Sequence, residues 1–322
     1  MNEFEAVLNA DIVTVLSDYG LIKVDGDDAE TFLHAQFTND LKQGVNENSS
    51  QLSAYCSPKG RILALFRIFK VNDVYYLSMP RELVEATHKR LSMFVLMSKV
   101  TLTDESDGIS QLGVSGPNSE QKLMAMVGQP PEAINQVVTN ENISIIRIPG
   151  PHPRFQIIGP AKEIKSLNNK LGTFVKEVST NAWQLLDIHA AIPVIKQANV
   201  EAFVPQMVNL QAIDGLSFKK GCYPGQEVVA RMQYLGKLKR RMYLAHSDDE
   251  TIAQPGDSIF VHGDEPRKTG AVVIAQTAAD GGSDLLIVVE IESAENQPLH
   301  QHESKTSPLT LKPLPYPLDN LS

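Results

Sequence analysis

The chain has 322 residues, 42% of them hydrophobic and 21% charged, and a formal net charge of −9. That is roughly two domains' worth of polymer, acidic enough to argue against wholesale nucleic-acid binding. The longest apolar run, Leu285 to Ile291, has seven residues and includes Glu290, so no membrane span is expected. The first twenty residues hold four acids and no Lys or Arg, unlike a secretory or mitochondrial leader. With only Cys56 and Cys222, neither a disulfide framework nor an intrachain iron–sulfur cluster is expected, and a reducing cytoplasm is the expected compartment.

Leu21 to Gly26 reads as a strand ending in a glycine turn, followed by a helix that Asp27 caps, with Glu30 completing a capping box and Phe32, Leu33 and Phe37 facing inward. Ninety residues on, Leu112 to Leu123 repeats the spacing strand, Gly116, helix, with Pro117 at the helix start. Two related α+β lobes are implied. Between the repeats, Ile62 to Phe69 reads as a strand buried on both faces beside Val74 to Leu77. Pro80 then opens a helix with Val84, Thr87, Leu91 and Phe94 on one face. The second lobe continues with strands Ile143–Ile148 and Phe155–Ile158, a helix Ala161–Leu171 stopped by Gly172, and a helix from about Asn181 to Ala191.

From about residue 240 the pattern becomes short β runs (Met242–Ala245, Ser258–Val261, Gly270–Ala275, Leu285–Ile291, Leu309–Leu311). Turns fall at Pro255-Gly256, His262-Gly-Asp264 and Asp280-Gly-Gly282. This spacing predicts a small closed or nearly closed antiparallel barrel. The fold class is therefore α+β, with units at 1–108, 109–238 and 239–322.

Charge is uneven. Lys219, Lys220, Arg231, Lys237, Lys239, Arg240 and Arg241 face one acid, Glu227, so residues 219–241 carry +6 and the rest of the chain −15. Such a strip suits a small polyanion or a short stretch of nucleic acid, and equally a solvated face. Inside it, Cys222 follows Lys219, Lys220 and Gly221, and cationic neighbours favour thiolate. Tyr223-Pro224-Gly225 reads as a turn, and Gln226, Glu227 and Arg231 follow it. Taken on the residues alone, the stretch fits a corner around a small buried thiol as well as a presented nucleophile. The histidines show no metal-ligand spacing, and no phosphate loop, dinucleotide fingerprint or Ser–His–Asp pattern occurs.

Lys220-Gly-Cys-Tyr-Pro-Gly-Gln-Glu227 resembles the defining motif of the YgfZ family of folate-binding proteins, which is related to the aminomethyltransferase (T-protein) of the glycine cleavage system. Leu21 to Asp40, Ala54 to Arg61, Phe203 to Leu210 and Leu314 to Tyr316 resemble further blocks of that family, so the likeness runs along nearly the whole chain. It implies two ferredoxin-like lobes and a barrel around a central folate pocket, with Trp183 and Tyr19 as the aromatic groups on the pterin. Tyr19 departs from the tryptophan of the family, and Trp183 alone fits an ordinary core anchor as well. Relatives carry a glutamate where this chain has His189. Asp187, one helical turn after Trp183, is the candidate substitute, and His189 itself reads as a packing histidine. The aspartate pair of the aminomethyltransferases falls on Ala64 and Leu65, so aminomethyl transfer is not expected.

The resemblance further implies a cytoplasmic folate (tetrahydrofolate or derivative) protein that supports iron–sulfur enzymes and, through them, tRNA modification. Cys222 and Lys220 are then the reactive pair, and Gly221, Tyr223, Gly225, Gln226, Glu227 and Arg231 the motif around them. The lysines would draw the folate glutamate tail and activate the thiol, and Lys237, Lys239, Arg240 and Arg241 offer a direct tRNA contact. Two other readings stand beside it: a folate-dependent one-carbon transferase using Cys222, and a protein- or RNA-docking module with a vestigial pocket.

Overall fold

A computed structural model of the chain describes residues 1–234, 236–263, 265–304 and 307–318. The two strand–glycine–helix repeats are present, and their glycines explain them. Gly26 ends the strand Tyr19–Asp25 at φ +126°, and Gly116 follows the strand Ile109–Ser115 at φ +139°. A Cβ on Gly26 would lie 2.0 Å from the Lys99 carbonyl oxygen, and one on Gly116 2.4 Å from Asp11 Cα. Only glycine allows the strand to turn there into the helices Ala29–Gln36 and Ser119–Val127.

The expected Asp27 cap is corrected. Asp28 holds the N-cap position and makes no side-chain capping bond. Its carboxylate accepts the Lys99 backbone N–H at 2.8 Å, while Asp27 pairs with Lys99 Nζ at 3.2 Å. A neighbouring chain segment has taken both carboxylates.

The first sheet has the order Gln51–Cys56, Ile62–Val71, Val74–Pro80, Tyr19–Asp25, Thr101–Asp104. The second has the order Lys176–Glu177, Ile12–Val15, Ile109–Ser115, Arg154–Pro160, Ile143–Ile148, Val137–Asn140. Thus the N-terminal strand Ile12–Val15 joins the second sheet, antiparallel to Ile109–Ser115. Strand Ile62–Val71 is buried through most of its length, as its apolar run, interrupted only by Arg67 before Lys70, predicts. Phe66 meets Phe37, which follows the helix Ala29–Gln36, edge-on at 4.5 Å. Pro80 ends a strand, and the helix after it, Val84–Ser92, buries Val84, Thr87 and Leu91. The helix stops before Phe94, which is 47% exposed and not on the expected inner face.

A buried polar ladder ties the two sheets together. Ser78 Oγ donates to Gln111 Oε1 (2.7 Å), and Gln156 Nε2 reaches both Ser78 Oγ (2.9 Å) and Gln111 Oε1 (2.7 Å). The two bonds to Ser78 fix the register of one sheet on the other, since a shift would strand buried polar groups, and the Gln156–Gln111 bond braces the second sheet internally.

The third sheet runs Leu299–His300, Ser258–His262, Pro266–Thr277, Ser283–Glu290, Arg240–Ser247, Thr310–Lys312. Its edges approach each other, because Leu309 N–H donates to the Leu299 carbonyl at 2.7 Å, and the sheet curls back on itself. Of the expected turn at His262-Gly-Asp264, Asp264 lies outside the described residues.

Candidate functional site

The helix Thr180–His189 begins at Ser179, whose Oγ accepts the Ala182 N–H at 3.2 Å. It ends before Ala190, earlier than the apolar pattern suggests, as Ile192 N–H turns back to the Asp187 carbonyl. One helical turn apart, Trp183 and Asp187 face the same cleft. Arg154, wholly buried on the second sheet, joins them. Its Nη1 donates to Asp187 Oδ1 (2.8 Å), its Nη2 to the Trp183 carbonyl (3.2 Å), and its guanidinium lies 4.0 Å from the indole centroid. Gly113 lies against the six-membered ring, where a Cβ would come within 2.8 Å of Cη2 and Cζ3. The indole is therefore 1% exposed, with Arg154 over a face that the family resemblance leaves for a pterin. Tyr19 completes the group, its hydroxyl 3.4 Å from Asp187 Oδ2. Burial, then the charges of Asp187 and Asp18, hold its phenol well above the ordinary range.

The cleft is narrow and open to solvent, with about 70 Å³ free to the centre of a water-sized sphere. Leu16, Leu65, Met79, Ile148, Ile192 and Pro193 supply apolar walls, and Ser78 and Gln156 bring the inter-sheet ladder to its edge. One lining residue was not singled out from the sequence: Arg67, 6% exposed, in the middle of strand Ile62–Val71. Its Nη1 donates to Ser50 Oγ (3.1 Å) and Asn135 Oδ1 (2.6 Å), both neutral. No carboxylate among the described residues pairs with it. Burial, aided by the nearby Arg154 charge, lowers its pKa to about 10. The signal was an arginine inside the apolar run ILALFRIF, where a charge is costly unless something uses it.

The cysteine motif stands apart from this cleft, and none of residues 219–231 lines it. Lys220 Nζ donates to the carbonyls of His34 and Phe37 (2.5 Å to the latter), closing the C-terminal end of helix Ala29–Gln36. Burial lowers its pKa to about 8, with Asp40 opposing. Tyr223 is buried beneath the ammonium, 5.2 Å from ring centre to Nζ. Gly225 sits at φ +83° with a would-be Cβ 2.5 Å from the Ser57 carbonyl oxygen, so it docks the motif on the Ser57–Gly60 turn. Gln226, whose Nε2 donates to the Lys220 carbonyl at 3.4 Å, opens helix Gln226–Tyr234, which carries Glu227 and Arg231, both exposed.

Cys222 is exposed between these anchors, while Cys56 is buried and burial pushes its thiol up to about 12. His34, 186 residues from Lys220, is the neighbour that no motif announced. Its Nε2 stands 4.0 Å from a Cβ placed on Gly221, and burial, then the Lys220 charge, lowers its pKa. His189 does not line the cleft. Its Nε2 is 2.7 Å from Asp284 Oδ2, and Asp284 also takes His246 Nδ1 (2.8 Å) and Lys312 Nζ (2.7 Å).

The family of the GCVT N-terminal domain matches residues 1–147. A tRNA-modifying protein YgfZ from Serratia proteamaculans is 31% identical over 304 residues, covering 94% of this chain and 92% of that protein. Another from Colwellia psychrerythraea is 32% identical with the same coverage. The chain belongs to the YgfZ family. Among solved structures, the glycine cleavage system aminomethyltransferase T from Bartonella henselae superposes with a TM-score of 0.77 at 16% identity, covering 97% of this chain and 88% of that one, so the two share a fold. In this YgfZ family member, Ala64 and Leu65 are both buried, Leu65 against the cleft. No helix among the described residues is long and apolar enough to cross a membrane.

Proposed function

We propose that this chain is a folate-binding accessory protein of tRNA modification, serving iron–sulfur tRNA-modifying enzymes without turning over an aminomethyl substrate. The observation that carries the reading is the cleft between the two sheets. A pterin is flat, apolar on its faces and polar along one edge, with N–H donors beside a carbonyl. The cleft matches that pattern with apolar walls, the Asp187 carboxylate and the Arg67 guanidinium, so its residues fit the group. Tyr19 and Asp187 would hold the ring edge. Trp183, locked by Arg154 and Gly113, would act as a wall rather than a stacking plate. Folate, when bound, carries a one-carbon unit; the protein's part is to bind and orient it out of bulk water.

Membership of the YgfZ family supports the tRNA side of the reading, since its relatives are named for tRNA modification. Leu65, an alkyl group against the cleft, supports the absence of aminomethyl transfer: it cannot orient or deprotonate a folate nitrogen. Cys222, exposed and outside the cleft, would serve a client protein rather than the bound folate. The chain has one tryptophan, so its emission reports on the cleft directly. Titration with 5-formyltetrahydrofolate should quench or shift that emission saturably; a flat titration of folded protein at millimolar ligand refutes the reading.

A further inference from the structure

Arg67 is a buried cation whose two hydrogen bonds among the described residues both leave from Nη1 and end on neutral oxygens. A guanidinium carries five N–H donors, so Nε and Nη2 remain for something else, and Arg67 lines the cleft. Arg154 stands nearby, and the one carboxylate of the cleft lining, Asp187, is already bonded to it through Oδ1. Among the described residues, Asp187 Oδ2 has only the long contact with Tyr19. The cleft lining thus offers the Arg67 fork, with Nε and Nη2 unused among the described residues, beside an Asp187 carboxylate shared by Arg154 and Tyr19.

Resting on the folate reading above, we infer that Arg67 is a specificity-determining residue that recognises the lactam carbonyl of the ligand ring, so that the cleft selects 4-oxo over 4-amino pteridines. An amine at that ring position would set donor against donor and leave the guanidinium dry and unpaired. A site built to hydrogen-bond one group rejects the analogue lacking it far more strongly than an apolar pocket rejects a change of shape.

Folic acid and its 4-amino-4-deoxy analogue differ only at this ring atom and serve as the two probes. The native protein should bind the 4-oxo compound about tenfold more tightly or better. In Arg67→Met the preference should collapse to near unity or reverse, because the remaining Asp187 carboxylate favours the more basic ring. Arg67→Lys keeps the charge but not the fork, and should lose most of the preference; it is the variant to use if Arg67→Met does not fold. Equal affinity of the native protein for both probes overturns the inference while leaving folate binding intact, and so does a preference that survives in either folded variant. If neither probe nor 5-formyltetrahydrofolate binds, the functional reading falls and takes this one with it.

Discussion

Replacing Arg154 with Met tests whether the site is held by one buried ion pair. In the native fold the guanidinium is wholly buried, bonded to Asp187 at 2.8 Å and to the Trp183 carbonyl at 3.2 Å, and stacked 4.0 Å from the indole. Without it, Asp187 stays buried with only the Tyr19 hydroxyl at 3.4 Å. Breaking a buried pair by removing one partner costs about 3–5 kcal/mol, because an uncompensated charge remains, and the desolvated cation–π contact contributes about 2 kcal/mol within that loss. Asp187→Leu should cost a similar amount, since Arg154 would keep only the carbonyls of Trp183 and Pro149. The double variant Arg154→Met with Asp187→Leu removes both charges, and it should fall short of the summed losses by about 2–3 kcal/mol. Urea unfolding followed by tryptophan emission and by far-ultraviolet circular dichroism measures all four corners of the cycle. Additive single losses, or an Arg154→Met variant within about 1 kcal/mol of native, would refute the claim that this pair organises the site.

Three further outcomes are expected. Native protein should react with one equivalent of Ellman's reagent, at Cys222, and with a second only on unfolding, because the Cys56 thiol is buried and its pKa is pushed up to about 12; Cys222→Ser should leave no fast-reacting thiol. Gly113→Ala drives a methyl group into the Trp183 ring, so it should shift the emission spectrum and cost about 1–3 kcal/mol in urea titrations. Burial alone would raise the Asp284 carboxyl, but hydrogen bonds from His189, Lys312 and His246 outweigh it and hold the group well below the usual carboxylate range. A depressed carboxylate stabilises the fold above its unfolded value of 3.8, and that contribution is lost as pH falls through the folded value. Asp284→Asn should therefore destabilise by about 3 kcal/mol at pH 7, with the deficit shrinking below about pH 4, as urea midpoints across that range would record.

What was legible in the sequence was local. Strand Ile143–Ile148 and helix Ala161–Leu171 lie where their periodicity puts them, because each is decided by which side chains can face one core. The paired glycines at 26 and 116 were legible for the same reason, since the constraint is a backbone angle within a single turn. Long-range pairing was not. The pattern read from the sequence begins at Leu21, yet Ile12–Val15 is a strand that joins the sheet of residues about a hundred positions on. Asp27 carries a helix-cap signature, and Lys99 overrides it.

The cleft follows the same division. The cysteine stretch advertises itself by eight consecutive residues because a turn, a helix start and a lysine cap must all be built within it. The cleft draws Tyr19, Arg67 and Asp187 from three separate segments, with Arg154 behind Asp187 from a fourth, and no spacing rule connects them. Two of them nevertheless leave a local anomaly: Arg67 within an apolar strand, and the Asp187 carboxylate on a helix buried almost throughout. A buried charge is costly unless hydrogen bonds, another charge or a ligand compensate it. Arg154 and Asp187 compensate each other, and Arg67 is the remainder that points to a ligand.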